Sequence, residues 1–384
     1  MKRRPRTTLV VALALLGGSL VAPPTAAQSF DDAEVRGAPQ FLRYRLDAPA
    51  ATTISQFALP VFVLMPAGNR LTFDIGTSYA RTRVTSGTRT SEISGLTDTQ
   101  VRGNLTLGSD FLVITAGVNL PTGTSSVTLD QFEAAGLIGN DFLAFPISNM
   151  GTGFAITGGV ALARPIGQWN VGLGGAVRRS ASFEPFDIPD QTLRFQPGTE
   201  YRVRLGVDRT IGAGRAALGL TYSAFGKDDA GGSVYSTGDR VIAQGAYTAA
   251  LTGRAVTVAA YNVYRGRGSY ASGEPAGQEN IANVFASVAL QPGGALLEPS
   301  IEVRHRLQDA SAAGSAAATT AADASRSSVL GTVGLRTRVT LGNTRLFPSI
   351  GYTRGSLEAD EVSGSRSRAR LTGLRAQVAF RIGQ

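Results

Sequence analysis

The chain has no cysteine, one histidine and one tryptophan among its 384 residues. Without cysteine there are no disulfides, no thiol nucleophile, no thiolate-held metal and no lipid-modified cysteine of a lipoprotein. A single histidine, His305, excludes a histidine-rich metal site, and any hydrolytic design that sets an imidazole beside a nucleophile would rest on it alone. Long apolar runs are also missing: beyond residue 21 no stretch approaches the 18 residues that mark a helical membrane span. No Walker-type phosphate loop occurs. The run Gly172-Leu173-Gly174-Gly175 lies inside an alternating pattern with no helix pattern after it, so the phosphate-cradle context is lacking. Glycine there relieves crowding or lets a strand bend. Nothing implies a cofactor.

At the start, Met1-Lys2-Arg3-Arg4-Pro5-Arg6 precedes an apolar run over 9–21, broken only by Ser19, and then Pro23-Pro24-Thr25-Ala26-Ala27-Gln28. A basic start, a short apolar stretch and small residues at its end describe a secretory signal peptide, with cleavage expected after Ala27. Of the 37 Lys and Arg, four fall in that leader, leaving 33 against 28 Asp and Glu. An excess of that size, with no basic helix and no aromatic RNA-binding motif, does not point to nucleic acid.

What the sequence does hold is alternation. Over 71–79, Leu71, Phe73, Ile75, Thr77 and Tyr79 face one way, and Thr72, Asp74, Gly76 and Ser78 the other. Tyr201, Val203, Leu205 and Val207 oppose Arg202, Arg204, Gly206 and Asp208. Further on, Val329, Val333, Leu335, Val339 and Leu341 oppose Thr332, Gly334, Arg336, Arg338 and Thr340, and Leu374, Ala376, Val378, Phe380 and Ile382 oppose Gly373, Arg375, Gln377, Ala379 and Arg381. Period-two patterning marks strands with one apolar face. Its recurrence along the whole chain predicts an all-β fold, a transmembrane antiparallel barrel whose closed sheet satisfies every backbone polar group inside lipid.

The connections alternate in length. Short ones fall at 65–69, 108–110, 164–167, 211–214, 252–253, 291–294 and 342–343; long ones at 86–94, 121–153, 180–197, 226–237, 266–278, 308–326 and 359–365. Short periplasmic turns against longer outer loops are the habit of bacterial outer-membrane barrels. Fifteen segments follow residue 52, and parity requires one earlier strand, over 40–47, giving sixteen, with fourteen as the alternative. The expected organisation is a leader over 1–27, a short periplasmic segment over 28–39 and the barrel over 40–384. The Ala/Ser/Thr-rich stretch 311–328 reads as a solvated loop.

Two fragments carry a resemblance. Gly95-Leu96-Thr97-Asp98 opens one strand, and Ala116-Gly117-Val118-Asn119-Leu120-Pro121-Thr122-Gly123 closes the next. Such a pair resembles the phenol meta-pathway transporters, families similar to FadL-type hydrophobic-compound channels. The resemblance covers 95–123 and implies an outer-membrane β-barrel transporter for hydrophobic or aromatic compounds. The chain departs from that pattern in two ways. Only 28–39 precede the first strand, with no Asn-Pro-Ala segment for an N-terminal hatch, and the C-terminus reads Phe380-Arg381-Ile382-Gly383-Gln384, leaving Phe380 as the candidate aromatic for the barrel assembly machinery.

With apolar faces turned to lipid, the lumen should be lined by Arg102, Arg202, Arg204, Arg304, Arg306, Arg336, Arg338 and Arg375, with Asp74, Asp98, Asp208, Glu298 and Glu302. Arginines two apart make ladders, and charge rings of this kind set pore selectivity, here for anionic or carboxylate-bearing solutes. Pairing of these arginines with the acids is the competing expectation. The stretch 121–153 holds Phe132, Leu137, Ile138, Phe142, Leu143, Phe145 and Ile147, unusually apolar for an exposed loop. It either enters the mouth as a constriction, with Phe132, Phe142 and Phe145 its candidate residues, or packs on the rim. His305 should point away from the lumen near the outer rim, and Asp228 with Asp229 reads as a solvated turn rather than a loose cation site. Arg366, Arg368 and Arg370, at the outer end of the last strand, suit outer-leaflet phosphates. The expected partners are outer-membrane lipid and a small solute. A passive channel, an adhesive barrel with partner-binding loops and a soluble secreted all-β protein are the functional classes left open.

Overall fold

The computed structural model describes residues 33–48, 51–108, 111–251, 254–292, 295–309, 326–360 and 366–382. The expected leader, 1–27, lies outside them, as do 310–325, most of the low-complexity loop.

Sixteen antiparallel strands close into one barrel. In chain order they are β1 (Glu34–Gly37 continued by Gln40–Leu46), β2 (Thr52–Ala67), β3 (Leu71–Ser86), β4 (Arg89–Leu96 continued by Thr99–Leu107), β5 (Leu112–Leu120), β6 (Ala155–Ile166), β7 (Trp169–Ser180) and β8 (Glu200–Ile211). The second half runs β9 (Gly214–Phe225), β10 (Arg240–Leu251), β11 (Arg254–Arg265), β12 (Glu279–Ala289), β13 (Leu296–Gln308), β14 (Arg326–Leu341), β15 (Thr344–Asp360) and β16 (Arg366–Ile382). Each strand pairs with its sequence neighbour, and β16 closes on β1, Val35 opposite Ile382 and Gln40 opposite Gln377. Closure leaves no sheet edge, which is what allows a sheet to stand in hydrocarbon.

The strand count agrees with the expected sixteen. Two boundaries differ. The wall begins at Glu34 rather than 40, because Glu34–Gly37 pairs with both β2 and β16 in the same register as Gln40–Leu46, and only Pro39, which has no N–H to give, interrupts the ladder. The connection expected to be long at 86–94 is a two-residue turn at Gly87-Thr88, with Ser86 opposite Arg89. The polar Thr/Ser/Arg content there marks strand rising above the membrane, not loop.

Val160, Leu173, Val203, Leu218 and Val333 are each more than half exposed on the outer surface, where hydrocarbon would cover them. Tyr201, Tyr222, Tyr264 and Tyr352 toward the loop end, and Trp169 and Tyr247 toward the turn end, flank that band as aromatic girdles do. The buried core is displaced from its usual place between layers: it lies inside the barrel, toward the loop end, between the inner wall and residues 121–154. Above the mouth, Phe195–Gln196, Asp228–Ala230 and Ser233–Tyr235 form a small three-stranded sheet.

Candidate functional site

Strand β4 carries a bulge. Leu96 stands opposite Tyr79, but Gln100 stands opposite Gly76, so four steps on β4 match three on β3. The extra residue reverses which positions face inward. Before the bulge Ser91, Ile93 and Gly95 point into the barrel; after it Gln100, Arg102 and Asn104 do. At the bulge sits Asp98, buried, its carboxylate accepting hydrogen bonds from Asn119 Nδ2 at 2.9 Å, the Gly123 amide at 3.1 Å and the Thr152 amide at 2.7 Å. Gly123 opens the long loop and Thr152 ends it, so one carboxylate holds both ends.

Thr122 completes this latch. Its hydroxyl oxygen accepts from the Thr99 amide at 2.9 Å and donates to the Thr97 carbonyl at 3.2 Å, while the Thr124 amide donates to the Leu96 carbonyl at 3.2 Å. Gly123 is wedged so closely that an added Cβ would lie 2.2 Å from the Met150 carbonyl oxygen and 2.6 Å from the Asp98 nitrogen. The two fragments that carried the family resemblance, 95–98 and 116–123, are thus the two halves of one hydrogen-bonded structure. Asp98, expected as a lumen acid, is buried and spends its lone pairs on this latch.

From the latch the loop turns into the barrel and packs against the inner wall. Its helix, α1 (Phe132–Ile138), is fixed at the first turn by Ser91, whose hydroxyl oxygen accepts from the Ala134 amide at 3.2 Å. Gln56 of β2 meets the Ile147 backbone as a strand would, donating to its carbonyl at 2.8 Å and accepting from its amide at 2.9 Å. Tyr44 of β1 donates to the Leu143 carbonyl at 3.0 Å and packs edge-on against Phe145 at 5.7 Å. Gly373 of β16 makes room, since a Cβ there would fall 2.5 Å from the Tyr44 ring.

The tip reaches the far wall. Arg304 of β13 donates to the Phe142 carbonyl at 2.8 Å, Arg306 lies 5.1 Å over the Phe142 ring, and Arg265 of β11 pairs with Asp141 at 2.8 Å. Ile138, Phe142, Leu143 and Phe145 are all nearly inaccessible to solvent. Burying four such side chains contributes about 1.5–3 kcal/mol each relative to exposure, enough to hold the loop inside. Phe132 is the exception among the expected constriction residues: it is 46 % exposed and stacks on Phe186 of the next outer loop at 5.0 Å.

The apolar cluster around the loop draws wall residues from β1–β4, β12 and β14–β16, with Val263 of β11 packed against it. Among the described residues it takes none from β5–β10. The loop meets that arc through polar contacts at its end, Asn119 donating to the Gly153 carbonyl at 3.0 Å and Arg178 to the Thr152 hydroxyl at 3.4 Å. A cavity of about 200 Å³ lies against it, lined by Gln100, Arg102, Asn119, Thr157, Arg178, Glu200 and Arg202, among others.

Register places the expected lumen arginines on the inner surface. Most stand beside an acid: Arg102 with Asp74 at 2.6 Å, Arg202 with Glu200 at 2.6 Å, Arg304 with Glu302 at 2.6 Å, Arg336 with Glu298, and Arg306 with Glu279 at 3.8 Å. Arg204 and Arg338 have no ion pair among the described residues, and Arg375 adjoins Tyr44. Asp208 is taken up by Arg215 at 2.7 Å and Asn170 at 3.0 Å. Sequence reasoning missed Arg178, Arg215, Arg240, Arg265, Glu200 and Glu279. The signal was present in β7, where Val171, Leu173 and Val177 alternate with Asn170 and Arg178, but glycine on both faces thins the contrast.

Outside the lumen, His305 faces outward near the outer rim, as expected, its Nε2 3.0 Å from Ser327 Oγ. No carboxylate orients the imidazole among the described residues, and the pair has no access to the lumen. Asp228 departs from the solvated turn: it is buried and accepts from the Gly198 amide at 2.8 Å and the Thr237 hydroxyl at 2.5 Å, tying two outer loops together.

No protein-family model matches the sequence, and no curated protein matches it. Among solved structures, OccK2 (OpdF) of Pseudomonas aeruginosa is 11 % identical, with 93 % of this chain and 100 % of that chain covered and a TM-score of 0.46. An outer membrane channel of Pseudomonas putida F1 is 12 % identical, covering 94 % and 99 %, with a TM-score of 0.38. OmpT, an outer membrane protein of Vibrio cholerae, is 11 % identical, covering 92 % and 100 %, with a TM-score of 0.42. Likeness at this level is slight. The class rests on the closed sixteen-stranded barrel itself, its apolar outer band and its aromatic girdles, which make the chain an outer-membrane β-barrel.

Proposed function

We propose that this barrel is a passive channel for small molecules, with the path running between the inward loop and the polar wall of β5–β10. One observation carries the reading: the loop is packed into the interior on one side and leaves the other side lined by Arg102, Arg178, Arg202 and Arg204. Barrels of this strand number otherwise enclose a wide aqueous channel, so an interior loop is what converts a pore into a selective one.

Guanidinium groups on that polar wall favour carboxylate-bearing solutes, which they bind bidentately. The acids beside them moderate the charge without cancelling it, because Arg178 and Arg204 have no acidic partner among the described residues. The resemblance to phenol meta-pathway and FadL-like transporters falls on the latch that positions the constriction. It supports solutes that combine an aromatic or apolar body with a carboxylate. In this reading residues 1–27 are an export leader, lipid surrounds the barrel, and Phe380, which faces outward on β16, is offered to the assembly machinery.

Liposome swelling with neutral, anionic and aromatic solutes, together with planar-bilayer conductance, tests the proposal. Small conductance with faster entry of aromatic carboxylates is expected. A correctly folded barrel with no flux of any solute would overturn the channel reading. It would favour an adhesive barrel, for which the outer cleft of about 670 Å³ between 125–126 and 182–194 is the candidate surface.

A further inference from the structure

The lipid-facing surface is not uniform around the barrel, and its asymmetry lies at one level. On β16 the outward positions Ile382, Phe380, Val378, Ala376 and Leu374 are apolar or small. These nine residues, 374–382, match the roughly 9–11 needed to cross the hydrocarbon. The next outward positions are Thr372, Arg370 and Arg368. The same switch occurs on adjoining strands: Tyr352 to Arg354 on β15, Phe41 to Arg43 and Arg45 on β1, and Tyr79 to Arg81 and Arg83 on β3. Strand β2, between β1 and β3, contributes Ser55 and Thr53 at this height.

Register makes this one continuous patch. Arg354 stands opposite Thr372, and Thr372 opposite Arg45; Arg43 stands opposite Ser55, and Ser55 opposite Arg83. All of these arginines are exposed. Three are matched by acids: Arg81 and Arg83 both on Glu92 at 2.7 Å, and Arg368 on Glu358. Arg43, Arg45, Arg354 and Arg370 have no ion pair among the described residues. At the outer ends of β5–β13 the outward positions are instead Leu120, Phe154, Ile156, Tyr201, Tyr222 and Tyr264, with Arg179 the isolated cation there among the described residues.

The geometry points to a binding site for the phosphate groups of outer-leaflet glycolipid on the β15–β16–β1–β2–β3 face. Its level is the boundary where hydrocarbon gives way to headgroups, so the molecule that touches it is a lipid. Forked guanidinium groups with long apolar stems suit a phosphate carried on an acylated sugar: the stems lie along the acyl chains and the forks meet the phosphate oxygens. A second copy of the chain docked through the same face would bring like charges together, which disfavours it. The inference is independent of what passes through the lumen.

The test is retention of phosphorylated glycolipid through detergent purification, read by native mass spectrometry. Wild type should keep it. The combined variant Arg43→Ala/Arg45→Ala/Arg354→Ala/Arg370→Ala should keep at least tenfold less, with heat-modifiable migration confirming a folded barrel. The variant Arg209→Ala/Arg254→Ala, which removes outward arginines at the opposite end, should retain the wild-type amount. Refolded wild type presented with glycolipid and with its enzymatically dephosphorylated form serves if the combined variant does not fold, and only the phosphorylated form should co-purify. Inorganic phosphate alone should not compete at millimolar concentration, because the acyl chains add to the binding. Equal retention by wild type and combined variant, or of phosphorylated and dephosphorylated glycolipid, would overturn the inference, and so would full displacement by inorganic phosphate.

Discussion

Asp98 and Gly123, twenty-five positions apart, meet across a 3.1 Å hydrogen bond from the Gly123 amide to the Asp98 carboxylate, and the same carboxylate takes the Thr152 amide at the loop's other end. A loop of some thirty residues has a large entropy to lose in entering a barrel. Fixing both ends on one buried carboxylate confines the intervening chain and lowers the entropy its apolar packing must offset.

Replacing Asp98 with Ala removes three charge-assisted hydrogen bonds and leaves the Gly123 and Thr152 amides unpartnered. Hydrogen bonds to charged groups contribute about 1.5–3 kcal/mol each, and the losses here are shared, so a cost near ~3 kcal/mol is expected. Urea unfolding of the refolded barrel measures it. Single-channel conductance should rise as the loop loosens; an unchanged conductance would show that apolar packing alone holds the loop.

Gly123→Ala acts through space rather than charge. The new methyl collides with the Met150 carbonyl and the Asp98 backbone, neither of which is a flexible side-chain end. Overpacking of this kind costs about 1–3 kcal/mol. Because the strain falls on the latch, limited proteolysis within 121–154 should become faster while the barrel stays resistant.

Phe142→Ala empties the centre of the interior cluster, where the ring lies under Arg306. Large aromatic truncations in cores cost about 3–5 kcal/mol. The carbonyl contact to Arg304 is backbone and survives, so the loop tip remains attached while its packing fails. Open-channel current noise should increase, a signature that a merely peripheral Phe would not give.

Arg178→Ala and Arg202→Ala should lower anion preference, read as a shift in reversal potential under a salt gradient. Arg202→Ala also leaves Glu200 beside Arg240 alone, at 4.0 Å, which makes the wall more acidic. Arg336→Ala, on the covered side of the barrel and paired with Glu298, should change selectivity less. If Arg336→Ala shifts selectivity as much as Arg202→Ala, the path does not follow β5–β10.

The sequence by itself determined the barrel, a count of sixteen strands with fourteen as the alternative, and the lipid-facing side of the strands whose alternation is clean. Period-two alternation is a property of a single strand, set by backbone geometry and readable without knowing any neighbour. It placed Arg102, Arg202 and Arg304 inward and His305 outward. What only the tertiary structure decided is what those residues meet. The bulge at β4 turned Asp98 from a lumen acid into a latch, and the path of one loop set Phe142 under Arg306 while leaving Phe132 outside on Phe186. Those outcomes depend on which distant segments closure of the cylinder brings together: the course of a loop leaves no periodic trace, and the extra residue in β4 shifts the phase of an alternation too weak around 90–100 to read alone.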